Sequence, residues 1–195
     1  MYILGLTCYA HESTCSLIKD GKIICVIEEE RLNREKHTWR YPKLAIQECL
    51  DIGSITIDDI DHITYFWKPW KEITGNIYHM LRYFPASLNL LRSESGGNSL
   101  LFFRRFLMMK NVGRRIKKQF RLKHVPKIKF IEHHLSHAAS AFFVSPYSES
   151  AILTFDGRGE STSTMLSYGT NNQIKKIKEI KVPHSLGHLY SAITD

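Results

Sequence analysis

Residues 131–160, IEHHLSHAASAFFVSPYSESAILTFDGRGE, narrow the choice of fold more than any other stretch. His133 and His137 stand four apart, the spacing that stacks two side chains on one face of a helix. The apolar run 151–155 then has the length and composition of a buried strand. It delivers Asp156 into a glycine-flanked turn, Asp156-Gly157-Arg158-Gly159-Glu160. Two imidazoles and a strand-end carboxylate can hold a divalent metal, and glycine amides beside them can approach phosphate oxygens closely. A histidine pair at this spacing also occurs for structural reasons alone. Here His134 stands beside it, and Ser136, Ala138, Ala139 and Ala141 keep the surroundings small enough to leave room for a ligand. An aspartate at a buried strand end must find a cation or donors, because burying it unpaired is costly.

The 195 residues carry a net charge of +8, but the charge is local. Between Arg104 and Lys129 there are 11 Lys or Arg and no acidic residue, and removing those 11 leaves −3 for the remainder. Such a stripe reads as a solvated helix face or a contact to an acidic surface rather than a nucleic-acid interface. Its Phe106 and Phe120 suit a helix's apolar face as well as a base-stacking platform. No stretch reaches the roughly 18 uncharged apolar residues of a membrane span, and the N-terminus lacks the basic segment of a signal peptide. Cys8, Cys15, Cys25 and Cys49 show no CxxC spacing. Reduced, buried thiols in a cytoplasmic protein are the expectation.

In chain order, residues 2–9 read as a strand, Thr14 to Lys19 as a second, Asp20-Gly21 as a hairpin turn and Lys22 to Glu28 as a third. A meander of this kind, with a polar turn between its first two strands, opens the actin/Hsp70-like nucleotide-binding fold. The charged run 28–37 is a solvated loop or first helical turn, or else a substrate-facing loop with Lys36 or His37 reaching an anion. Pro42 to Leu50 reads as a helix with Gly53 past its end. Asp58, Asp59 and Asp61 lack the glycine and terminal glutamate of a calcium loop and are expected to cap a short turn before a strand, 62–67. Residues 68–125 read as a helical insertion of two or more helices, with a flexible break at 93–98. Strands are expected at 127–131, 161–168 and 173–182, and a helix opening near Pro183 continues to Asp195, which suggests a fragment of something longer. No internal repeat is visible.

Three stretches also resemble a known family. HHLSHAASAFFVSPY, AILTFDGRGE and PHSLGHLYSA, with YILGLTCYAHESTCSLIKDGKI and EEERLNREKH before them, are similar in order to the NodU/CmcH/TobZ carbamoyltransferases. The match is weak only across 70–125. A more distant likeness links the histidine pair and first hairpin to the tRNA threonylcarbamoyl-transfer proteins. The resemblance implies a mixed α/β, actin/Hsp70-like (ribonuclease H-like) fold and an enzyme of biosynthesis that makes a carbamoyl-adenylate from carbamoyl phosphate and ATP. The carbamoyl group then passes to a hydroxyl of a sugar or natural product. By the same resemblance His133, His137 and Asp156 are metal ligands, iron being the implied metal and magnesium accompanying ATP. Gly157, Arg158, Gly159 and Glu160 are nucleotide- or phosphate-binding, and His11 and Lys36 are catalytic. The family's usual His-Asp-Ala-Ser turn is His11-Glu12-Ser13-Thr14 here, and its Lys-Lys-His is Glu35-Lys36-His37. Family members are far longer, so the chain is expected to be the N-terminal part of an actin-like domain, with the second lobe and a C-terminal domain absent, and to be inactive alone. The rival expectation is a non-catalytic actin-like module that pairs with a separate half or with a second copy.

Overall fold

The computed structural model describes residues 1–88 and 106–194. The expected break at 93–98, the start of the second amphipathic stretch and Arg104 of the basic stripe lie outside the described residues. Contacts divide the chain into two units: Met1–Phe66 with Leu88–Phe130, and Trp67–Ser87 with Ile131–Asp195. The stretch 68–125 is thus shared between them rather than forming one insertion.

The first unit is built on a five-stranded mixed sheet. Its strands are β1 (Tyr2–Thr7), β2 (Thr14–Lys19), β3 (Lys22–Glu28), β4 (His62–Tyr65) and β5 (Lys127–Phe130), in the order β3-β2-β1-β4-β5. β1 to β3 are antiparallel, and β4 and β5 run parallel to β1. This meander followed by parallel crossovers is the mixed α/β, actin-like topology that the opening hairpin predicts. Alternation puts Leu4, Leu6, Cys15, Leu17 and Ile63 inside. Helix α1 (Glu29–Asn33) follows β3, and α2 (Lys43–Gly53) buries Ala45, Ile46, Cys49 and Leu50, one stripe of a 3.6-residue period.

The start of α2 explains part of the charged run. Pro42 stands at the N-cap with no side chain to offer. Glu29, 4% exposed, takes that part from α1: its carboxylate accepts the amides of Leu44 at 3.2 Å and Ala45 at 2.7 Å. At the other end Gly53 is the last helical residue, and Ser54 makes the left-handed exit at φ 50°. Thr56 and Asp59 form a capping box around a 3₁₀ turn (Ile57–Asp59). Asp61 does something else: it accepts the Tyr2 amide at 2.7 Å while its own amide donates to Tyr2 O, tying the starts of β4 and β1 together. Residues 106–110 are helical, and α4 (Val112–Phe120) buries Val112 and Ile116 while Arg114, Arg115, Lys117 and Lys118 are exposed. The described part of the basic stripe on α4 is therefore the polar face of an amphipathic helix. Among the described residues no helix is long and apolar enough to cross a membrane.

The second unit holds α3 (Pro69–Arg82), α5 (His133–Phe142), a three-stranded antiparallel sheet and α6 (Leu186–Thr194). The sheet runs β6 (Glu149–Phe155), β7 (Thr162–Thr170), β8 (Gln173–Lys181). Proline opens α3 at its first turn. Helix α5 lies on the sheet through Ala138, Phe142, Ile152 and Met165, with Ile174 against them. Ala138 thus serves close helix–sheet packing rather than leaving room for a ligand. Gly169 is glycine because the Phe142 ring lies 2.8 Å from where a β-carbon would be. The sequence shows no repeat, yet the two meanders share a plan: six residues join β1 to β2 and β6 to β7, and two residues close each following hairpin. Those six-residue loops carry His11 in one unit and Asp156 to Glu160 in the other.

An ion-pair network braces the second unit. The Glu132 carboxylate meets Lys68 (3.2 Å), Lys71 (2.7 Å) and Lys176 (2.5 Å). Burial pushes its pKa up, but the hydrogen bonds from Lys176 and Lys71 outweigh that and take it down to about 2 from an ordinary 4.5. A depressed folded-state pKa stabilises the fold above the unfolded value, and that stability drains as pH falls from about 4.5 through about 2. After allowance for solvent screening of the lysines, the contribution is about 1–2 kcal/mol. Glu132→Gln is expected to lower stability by that amount at pH 7 and to close the gap to the native chain near pH 2, as urea titrations at the two pH values would read.

Candidate metal centre

The site is set by α5, the end of β6 and the loop after it, all in the second unit. His133 Nε2 lies 3.0 Å from Asp156 Oδ2 and 3.0 Å from His137 Nε2, and His137 Nε2 lies 3.8 Å from the same carboxylate oxygen. Among the described residues these three form the group whose donor atoms could hold a metal ion. Two imidazole nitrogens 3.0 Å apart cannot both present lone pairs without a proton or cation between or beside them. Ligands at about 2.1 Å stand about 3.0 Å apart when cis and about 3.4 Å apart in a tetrahedron, so the spans of this trio suit a first-row divalent ion. Two histidines and one carboxylate on one side, with the remaining positions open, is a donor set typical of iron(II).

Each of the three candidate donors is held by its surroundings. His133 packs tilted against Trp67, 4.9 Å from centroid to centroid, and burial lowers its pKa to about 4 despite the Asp156 bond, so at neutral pH the ring is uncharged. Burial works against the charge of Asp156 too, but the His133 bond and the Gly157 amide (2.6 Å) prevail and its pKa is lowered. The Asp156 amide donates to Ser163 O, which continues the β6–β7 ladder up to this carboxylate. His137, half-exposed, opens the trio to solvent.

His134, adjacent to the pair, is a structural residue. It is buried, its Nε2 bonds Thr162 O at 3.1 Å and its Nδ1 meets Thr154 Oγ1 at 2.8 Å. Burial lowers its pKa, so the neutral ring donates through Nε2 and accepts through Nδ1.

The loop 157–160 divides by role. A β-carbon on Gly159 would lie 2.9 Å from His134 and 3.1 Å from Thr162 O, so glycine is required there by packing. Arg158 reaches Asn76 Oδ1 at 2.5 Å and Glu72 Oε1 at 3.8 Å, and Glu72 in turn accepts the Trp67 indole N–H. Glu160 is 1% exposed, and its Oε1 accepts the amides of Lys68 (2.9 Å) and His133 (3.1 Å). Its carboxylate therefore points into the protein as an anchor for the start of α5. The residue missed by sequence reasoning is His188 of α6, whose ring lies over Gly157, 3.3 Å from a β-carbon built there. Ser185 Oγ bonds the carbonyls of Asp156 and Gly157 and receives the His188 amide.

Gly187 makes this approach feasible. A β-carbon on it would sit 2.4 Å from Gly157 N and 2.5 Å from Asp156 C, backbone atoms that cannot turn aside. Gly187→Ala is expected to cost about 2–3 kcal/mol and to displace the Asp156 loop, visible as a lower denaturant midpoint together with weakened metal binding.

In the first unit the structure joins the two loops that carry His11 and Lys36, both exposed. Tyr9 N donates to Trp39 O at 2.7 Å, Ser13 Oγ to Arg40 O, and His37 Nδ1 meets Glu12 Oε1 at 3.3 Å. Tyr9, Arg34 and His37 all adopt positive φ (65°, 61° and 54°), a costly conformation for such side chains that concentrates around the two residues.

A family model described as Carbamoyltransferase N-terminus matches residues 2–195. The chain is 38% identical over 196 residues to the uncharacterized protein sll1178 of Synechocystis, covering 99% of this chain and 31% of that one. It is 34% identical over 182 residues to the nodulation protein NolNO of Sinorhizobium fredii, covering 93% and 25%. The chain thus spans a quarter to a third of the length of these curated relatives. Among solved structures, YeaZ from Pseudomonas aeruginosa is similar at TM-score 0.46 and 11% identity, over 93% of this chain and 67% of that one.

Proposed function

The chain belongs to the carbamoyltransferase N-terminus family, and on that premise we propose that it carries the metal-binding part of an ATP-dependent O-carbamoyltransferase. The observation that supports this best is the His133–His137–Asp156 trio beside a glycine-rich loop in a chain matched end to end by that family. In this reading carbamoyl phosphate is hydrolysed to carbamate and phosphate. Carbamate then displaces pyrophosphate from ATP to give carbamoyl-adenylate, and an acceptor hydroxyl takes the carbamoyl group with release of AMP. A bound divalent ion, iron by resemblance, would supply positive charge for phosphate oxygens. His133, His137 and Asp156 would hold it. The amides of Gly157 and Gly159 already donate to Asp156 Oδ1 and Thr162 O, so these glycines shape the loop beside the ion, and by the same resemblance His11 and Lys36, on the laced loops of the first unit, would be catalytic. Glu160 and Arg158 act in this account by positioning rather than by touching phosphate.

The test uses the protein at the length of its relatives, with ATP, carbamoyl phosphate and iron(II). Pyrophosphate release that requires carbamoyl phosphate and stops on chelation is the expected result. Absence of such release from a folded, metal-loaded protein would overturn the reading and leave a non-catalytic module.

A further inference from the structure

The first unit contains a cysteine cluster that the proposed chemistry does not use. Cys25 on β3 is opposite Leu17 in the ladder, which places it on the same face of the sheet as Cys15, two residues along β2. Helix α2 lies over that face and brings Cys49 down between them. Cys49 Sγ is 3.5 Å from Cys15 O, and its sulfur is within hydrogen-bonding reach of the thiols of both Cys15 and Cys25. Three sulfurs from two strands and a helix therefore share one small volume. All are free thiols; Cys15 and Cys49 are fully buried, and Cys25 is partly exposed.

We propose that Cys49 and Cys25 form an oxidative modification site, a thiol pair that hydrogen peroxide converts to a disulfide clamping α2 to the edge strand β3. The pairing follows from mobility. β3 is the outer strand of its sheet, and the register slips beside Cys25, from Leu17↔Cys25 to Ile18↔Ile23, so that Ile24 is an extra residue. A bulge in an edge strand is where a ladder opens at least cost, admitting peroxide and letting Cys25 close on Cys49. Cys15 sits inside the sheet with regular pairing to Ile27 and lacks that freedom. The polarity of the pair is consistent: contact with the Cys15 thiol draws the Cys49 pKa down, whereas burial pushes Cys25 up to about 11. Opening of the edge strand at the bulge uncovers Cys49 and frees its thiol from the Cys15 carbonyl, and it is oxidised first. Its thiolate attacks one peroxide oxygen, the O–O bond breaks, and hydroxide leaves to become water on protonation. The Cys25 thiol, giving up its proton, then attacks the sulfenic sulfur; the S–S bond forms and a second water departs. Two thiols and one peroxide yield one disulfide and two waters.

The experiment exposes the native chain to millimolar peroxide, blocks remaining thiols in denaturant and maps non-reduced peptides by mass. The expected result is a count of two free thiols instead of four, loss of two hydrogens, and a Cys25–Cys49 cross-linked peptide that dithiothreitol separates. Cys25→Ser, a change at a partly exposed position, is expected to melt like the native chain, to form no cross-link and to accumulate sulfinic acid on Cys49. Four free thiols after treatment, oxygen added to cysteines without a cross-link, or a Cys15–Cys49 link in its place would each overturn the proposal.

Discussion

His137→Ala is expected to lower the chain's affinity for iron(II) or manganese(II) by at least about 100-fold, the loss expected when one of the three proposed protein ligands is removed. The ring is half-exposed, so the metal-free variant should melt within about 0.5 kcal/mol of the native chain. With metal at about 100 times its dissociation constant the native chain gains about 2.7 kcal/mol, and the variant should gain almost none. His133→Ala removes the same kind of donor but also a ring, 12% exposed, that packs against Trp67, so it should lose metal and stability together. The contrast separates ligation from packing. Anaerobic titration calorimetry with metal analysis gives the affinity, and calorimetric melts with and without metal give the linkage. Native-like metal stabilisation in His137→Ala would mean that the ion sits elsewhere.

Much of this geometry was legible from residue types because the interactions are local. The i, i+4 histidines lie on one helix face, the strand to Phe155 ends at Asp156, and Asp20-Gly21 closes the first hairpin between the strands expected. What was illegible depends on contacts distant in sequence. Nothing in EEERLN announces that Glu29 will supply the N-terminal acceptor of a helix starting at Lys43, because the need arises from Pro42 having no polar side chain. The charged stretch looked uniform, yet it contains one buried acceptor, one residue (Glu30) that takes the His37 amide, and an exposed Lys36. Likewise the shared plan of the two meanders is a matter of loop length and pairing, not of residue identity, so comparison of letters does not find it. His188 was hidden for a related reason: only the close approach at Gly187 brings α6 over Gly157.

Glu160 is where sequence resemblance and geometry lead to opposite experiments. A phosphate-binding residue would face the ligand, and its loss would weaken nucleotide binding while leaving the fold alone. The structure instead aims its carboxylate at the amides of Lys68 and His133, one at the start of α3 and one at the first residue of α5. Glu132, the N-cap of α5, supplies no side-chain bond of its own there. Glu160→Ala therefore strands two part-buried donors and empties a buried side-chain volume, and is expected to cost about 3–4 kcal/mol, lowering the melting temperature by about 6–12 °C. Glu160→Gln keeps the shape and one carbonyl acceptor, and should cost only about 1 kcal/mol. Because the His133 amide and the His133 ring belong to the same first turn, the alanine variant should also weaken metal binding, and the glutamine variant should not. Melting curves and metal titrations on both variants decide the matter: a Glu160→Ala chain that melts like the native one would return Glu160 to the phosphate site.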